Sequence, residues 1–167
     1  IKEVSGITDW HDLPEHFCSD LDFIKDSASS DMSRRILTCV HVMAHGMAAS
    51  DSYQIMRLQF DTDTEFPFPG TLIPAENITE ITKINPTLVA KTSGWLHFKN
   101  LDGTILSCRI LEDEYPDISA HFDVQGHKIQ FPKKMPDILD RAMVFTKKDH
   151  LMDEEMQVKL KSDKLLV

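Results

Sequence analysis

The sequence predicts an α+β fold in which short helices lie on one face of antiparallel sheets, assembled from a repeated helix-plus-sheet unit. Three observations predict it. Pro14, Pro74 and Pro136 recur 60 and 62 residues apart, each after an apolar residue. Each opens an amphipathic stretch of about three turns, and proline suits the first helical turn because its missing N–H is not needed there. Each stretch is followed by paired β-rich segments. A period near 60 is too long for the usual solenoid repeats, so the unit is a half-domain and not a solenoid turn.

In order along the chain, the first helix is expected over 14–27, with Phe17, Leu21 and Ile24 on one face. Residues 35–44 (RILTCVHVMA) and 47–60 (MAASDSYQIMRLQF) read as extended, turning at His45-Gly46. The second helix is expected over 74–85, with Ile78, Ile81 and Ile84 in its stripe. Residues 95–99 (WLHFK) and 104–111 (TILSCRIL) flank a hairpin loop at 100–103, where Gly103 suits a positive φ. The segment 112–126, acidic and carrying Pro116 and Gly126, reads as a connection with neither strand nor helix. The third helix is expected over 136–147, with Ile138, Leu139, Ala142 and Met143 in its stripe. Residues 156–160 and 164–167 form a last hairpin around Ser162-Asp163. The third unit ends after two strands, and half a unit cannot bury its own face, so the chain reads as truncated. It begins at Ile1 and not at Met, with no signal peptide, which reads as a cut or processed piece of a longer protein.

Composition bounds the function. The chain has 167 residues, 18 basic and 27 acidic, for a formal charge of −9. That balance speaks for solubility and against a broad nucleic-acid-binding surface, though a local basic patch can exist inside an acidic whole. No apolar run approaches the ~18 residues of a membrane span. Cys18, Cys39 and Cys108 form neither a CxxC pair nor a disulfide framework, so they read as thiols in a reducing compartment, the cytoplasm.

No catalytic or metal constellation stands out. His41 and His45 are four apart but fall on an extended segment and its turn, and there is no HExxH. Asp61, Asp63 and Glu65 form a DxDxE run without a calcium-loop continuation, and read as a polar loop. Glu112-Asp113-Glu114 reads as a solvated strand end. No GxSxG, local Cys-plus-His signature or Gly-rich phosphate loop occurs. Trp10 and Trp95 could be stacking platforms for single strands, but their sequence neighbours lack basic interleaving.

The order of several segments resembles the bacterial DNA polymerase III beta subunit, the sliding clamp. The segments are Leu13-Pro14 with its helix, Arg34-Arg35-Ile36-Leu37, Ser50-Asp51-Ser52-Tyr53-Gln54-Ile55, and Leu72-Ile73-Pro74-Ala75. The likeness continues through Asp102-Gly103, Ser107-Cys108-Arg109, Tyr115-Pro116-Asp117 and Leu139-Asp140-Arg141-Ala142. No one motif is specific alone; the shared order carries the likeness. Ser52 stands where the family usually has Gly, and Gln54 where it has a basic residue. The divergence resembles that of a phage or mobile-element clamp.

The resemblance implies a DNA-clamp fold. Residues 1–7 would be a linker from a preceding domain, 8–122 a central clamp-like domain, and 123–167 the first part of a third. It implies a non-catalytic processivity factor: no catalytic residues, cofactor or metal, a ring around double-stranded DNA, helices lining the hole, and no membrane. It implies a homodimeric ring for the full-length protein and a monomer for this piece. It also implies a groove where DNA polymerase and clamp loader dock a short apolar peptide. Matching positions are Leu37, Ser50, Ser52 and Ile55, with further wall from Phe122 and Val124. Arg34 and Arg35 match a loop the family uses near DNA, and Lys133 and Lys134 lie at the third helix's start. Against a DNA lining, the expected helices carry net charges of −3 (14–27), −1 (74–85) and 0 (136–147). The competing reading is a clamp-fold interaction module that does not encircle DNA.

Overall fold

The computed structural model describes residues 6–60, 64–126, 129–146, 159–161 and 164–166. The chain divides into two compact units, residues 1–122 and 123–167.

In the first unit, alternating apolar residues build two four-stranded antiparallel sheets. One has the order β4-β3-β2-β5, from Ile55–Gln59, Gly46–Ser50, Cys39–Met43 and Thr71–Pro74. The other has the order β1-β6-β7-β8, from His11–Asp12, Leu88–Thr92, Trp95–Lys99 and Ile105–Arg109. Helix α1 (Phe17–Ile24) lies between β1 and β2 in sequence, and α2 (Ala75–Lys83) between β5 and β6. Each half is therefore strand, helix, three strands. The leading strand of each half pairs in the other half's sheet: His11 opposite Val89, and Val40 opposite Ile73. An antiparallel bridge between Leu72 and Leu111 joins the two sheets at their β5 and β8 edges.

Both halves close over one core. The helix stripes supply Phe17, Leu21 and Ile24 from α1 and Ile78 and Ile81 from α2, and all five are fully or almost fully buried. The inner sheet faces supply Val40, Val42, Met47, Ala49, Ile73, Val89, Leu96 and Phe98. Phe17 sits at the centre, stacked on Phe66 at 5.4 Å between ring centroids and touching Phe60 and Phe98. At roughly 1.5–3 kcal/mol per fully buried large side chain, this shared core is the main favourable term. Gly46 is fixed by sterics: a Cβ there would run into the Leu58 carbonyl of the paired strand.

Several expected boundaries shift, each for a visible reason. The first helix begins at Phe17 and not at Pro14. The Leu13 N–H is held by Thr87 O at 2.9 Å, which prolongs β1 pairing, so the chain must turn through a left-handed His16 (φ 64°) before coiling. The α-helix gives way to a 3-10 turn over Lys25–Ser27. The strand expected from residue 35 begins only at Cys39. Met32–Thr38 forms 3-10 turns kinked at Arg34, started by the Asp31 side chain accepting from Ser33 N and ended by Thr38 Oγ1 donating to Arg35 O. The stretch 47–60 is broken into β3 and β4 by a tight turn at 51–54. Pro74 caps α2 and does not enter it. The segment 112–126 holds a short 3-10 turn, Ser119–His121, and the buried Tyr115.

In the second unit, helix α3 spans Met135–Thr146, one residue earlier at each end than expected. Strands β9 (Lys159–Lys161) and β10 (Lys164–Leu166) pair antiparallel, Leu160 opposite Leu165. The Ser162-Asp163 turn expected between them lies outside the described residues, as do residues 1–5 of the expected linker.

Candidate functional site

Three of the expected groove residues, Leu37, Ser50 and Ile55, belong to the outer face of the first sheet. Strand alternation sends Val40 and Val42 inward, and therefore Cys39 and His41 outward, with Leu72 beside them on β5. Tyr115 crosses this face and stacks on His41, ring centroids 5.0 Å apart. Cys39, Leu72 and Tyr115 form a small second apolar cluster, with Ile36, Leu37, Leu111 and Ile118 half-buried around it. The rim is thus Leu, Ile and Tyr on a sheet floor, which suits an extended peptide with apolar anchors. Burial pushes the Tyr115 hydroxyl up to about 12, although the Ser50 main chain draws it down. That hydroxyl is buried with no well-formed hydrogen bond among the described residues. Burial also pushes His41 below its ordinary value, so it is neutral at physiological pH.

Ser50, Ser52 and Ile55 sit at the end of the same sheet, with Ser50 opposite Ile55 in the β3–β4 ladder. Ser50 builds the turn more than it lines a wall. It is buried, its hydroxyl donates to Gln54 O at 2.9 Å, and it accepts from Ser52 N at 3.2 Å. Asp51 completes the turn by accepting from the Tyr53 and Gln54 N–H groups, which hold its carboxyl below the ordinary range. Ser52 adopts φ 83°, a left-handed conformation that favours glycine. Its hydroxyl holds Arg34 Nη1 at 2.6 Å.

Phe122 is exposed at the end of the Ser119–His121 turn, and Val124, 76 % exposed, belongs to the second unit. Beside Leu37 pack Tyr115 and Ile118, residues that read as linker. Their signal was an aromatic and an isoleucine bracketing Pro116 after an acidic run, too short for any period to register.

Arg34 lines a cleft of about 870 Å³ with Ser52, and Arg35 lines an adjoining one of about 370 Å³ with Arg109 and Glu112; the two clefts share Met32, Thr38, Pro74 and Glu76. Lys133 and Lys134 are exposed before α3, where Lys134 O accepts from Ile138 N at 3.1 Å. On the helices, Lys25 is paired with Asp22 and Lys83 with Glu80, so carboxylates dominate the solvent side of α1 and α2. Among the described residues, no group of three or more His, Cys, Asp or Glu could hold a metal. Asp61 and Asp63 of the DxDxE run lie outside them, and Glu65 pairs with His45 at 3.3 Å. Cys18 and Cys108 are pushed up to about 11 and about 12 by burial, far from reactive thiolates. No described helix is long and apolar enough to cross a membrane.

Comparison with solved structures defines the class of the fold. A putative DNA polymerase III beta subunit from Eubacterium rectale superposes with a TM-score of 0.65 at 15% identity, over 85% of this chain and 42% of that one. The beta subunit from Borrelia burgdorferi, solved with a natural product, gives 0.56 at 11% identity over 72% and 34%. The Bacillus subtilis DNA polymerase sliding clamp gives 0.53 at 21% identity over 69% and 33%. The chain therefore has the DNA-clamp fold, mixed helix and antiparallel sheet, and resembles the bacterial DNA polymerase III beta subunit. It spans one third to about two fifths of the length of these structures. No protein-family model and no curated protein matches the sequence.

Proposed function

We propose that this chain is the docking part of a sliding-clamp-type processivity factor, a non-catalytic protein that keeps a DNA polymerase on duplex DNA in the cytoplasm. In this reading residues 8–122 are the central module of a ring and 123–167 the beginning of the next. Replication proteins are held by a short apolar peptide seated among Leu37, Ile55 and the Tyr115–Ile118 rim, with Ser50 and Ser52 shaping its end and Phe122 beside it. One observation carries it: a cluster of buried and half-buried apolar side chains on the sheet face opposite the helices, in a fold shared with sliding clamps. A labelled peptide bearing Leu and Phe anchors should bind the chain, and Leu37→Ser should weaken it at least about tenfold in fluorescence anisotropy, a loss of about 1.4 kcal/mol. Wild-type and Leu37→Ser chains binding alike would remove the groove.

A second reading is favoured by the carboxylates on α1 and α2: the same fold docking proteins without encircling DNA. Duplex DNA affinity separates the two. The ring reading expects binding that weakens with salt and drops when Arg34, Arg35, Lys133 and Lys134 are replaced by alanine. Binding that ignores those substitutions favours the second.

A further inference from the structure

A cleft beside the apolar cluster has a different chemistry. It has a volume of about 870 Å³ and lies between the 25–34 segment, the 51–53 turn and the start of α2. Ser52 belongs to both sites, and Thr38 lines the cleft while its neighbour Leu37 packs in the apolar cluster. Four carboxylates line it: Asp26, Asp31, Asp51 and Glu76. Of its two cations, Lys25 is held by Asp22 and Arg34 is hydrogen-bonded to Ser52. Asp31 and Asp51 are fixed acceptors, their carboxyls held below the ordinary range by the Ser33 hydroxyl and N–H and by the N–H groups of Gln54 and Tyr53. At the mouth stand two solvent-facing side chains, Tyr53 at 99 % exposure and Met32 at 65 %. A ring so placed can receive a cation on its face.

We infer that the peptide taken by the groove carries a basic flank, one or two Lys or Arg beside its apolar anchors, and that the flank lies in this cleft between Tyr53 and the carboxylates. The inference rests on the groove reading and names its partner more closely. Charge complementarity is the argument: the anchors meet Leu, Ile and Tyr, the flank meets a cleft lined by four carboxylates against two cations. The formal charge of −9 adds a long-range pull on a basic segment.

The test uses three labelled peptides with the same Leu and Phe anchors, flanked by Lys-Arg, Gln-Gln or Glu-Glu, titrated against the whole chain by anisotropy. The Lys-Arg peptide should bind roughly three- to tenfold tighter than Gln-Gln at low salt, with most of the gain gone at about 0.5 M salt. Asp26→Asn with Glu76→Gln should abolish the gain and leave the Gln-Gln affinity unchanged. Tyr53→Ala, at a fully exposed position, should remove part of it. Equal affinity for Lys-Arg and Gln-Gln, or tighter binding of Glu-Glu, overturns the basic flank while the groove stands. Failure of all three peptides to bind overturns the groove itself.

Discussion

The two halves of the first unit share one plan and differ in how strictly they follow it. In the second half, β5 passes through Pro74 directly into α2, and the hairpins turn at Gly94 and Gly103, both at positive φ as glycine permits. In the first half the same junctions are disturbed. A left-handed His16 precedes α1, a kinked 3-10 segment separates α1 from β2, and Ser52 occupies the left-handed turn position between β3 and β4. Their outer sheet faces differ in kind as well. On β7 and β8, His97 is buried between Thr92 Oγ1 and Ser107 Oγ at 2.9 and 2.7 Å, a polar network. On β2, the outward His41 is covered by an aromatic ring and ringed by half-buried apolar residues. The difference teaches that most departures from the shared plan gather in the first half, while the apolar cluster on its outer sheet face draws residues from both halves.

Substitutions can break or sharpen that contrast. The largest effect should come where the halves are not separate. Phe17→Ala should cost roughly 3–5 kcal/mol in urea unfolding and leave a single transition, because its ring touches both sheets. Two resolved transitions would show that the halves are independent. Gly46→Ala should cost about 1–3 kcal/mol by forcing β3 away from Leu58, and it should weaken peptide binding more than Gly103→Ala, which meets open space. Tyr115→Phe should change stability at neutral pH by less than about 1 kcal/mol, since it deletes a buried hydroxyl without a good partner.

The same residue gives a pH dependence. The folded-state value of Tyr115 is raised from 10.0 to about 12. The stability this contributes is fully present below pH 10 and is lost as pH rises from 10 towards 12, because the unfolded chain releases the proton first. Cys18 and Cys108 act in the same direction from pH 9 upward. Alkaline unfolding should therefore be shallower in Tyr115→Phe, and identical alkaline profiles would remove the assignment. The smallest effect belongs to Ser52→Gly. Relief of the left-handed backbone and the greater freedom of unfolded glycine oppose each other, so stability should move by no more than about 1 kcal/mol. The loss of the Arg34 tether should show instead as faster exchange of the Arg34 side chain in NMR.

Much of the frame was legible because its signals are periodic. The helix stripes, the 95–99 strand and the Gly103 loop depend on local spacing, and spacing survives in one sequence. The exchanged strands were not legible. His11–Asp12 is two residues long, too short to carry an alternation, and its partner is chosen by tertiary pairing with β6. Residues 35–38 read as the start of a strand because Ile36, Leu37 and Thr38 favour β structure, but the Asp31 cap and the Arg35 carbonyl drew the 32–38 segment into 3-10 turns. At the apolar cluster, Leu37 was expected from resemblance, whereas Tyr115 and Ile118 were placed in a polar connection whose packing depends on where it crosses the sheet. The Arg34-Arg35 pair was legible as adjacency and not as direction; the backbone kinks at Arg34, and the two side chains line adjoining clefts.

The swapped leading strands also set an order of events during synthesis. His11 emerges early, yet its ladder partner Val89 lies 78 residues later, so the first β-strand must wait unpaired while most of the unit is translated. Neither half can be excised without stripping an edge from the other. A backbone nick in the 61–70 connection should therefore yield two fragments that reassemble when mixed and stay unfolded apart.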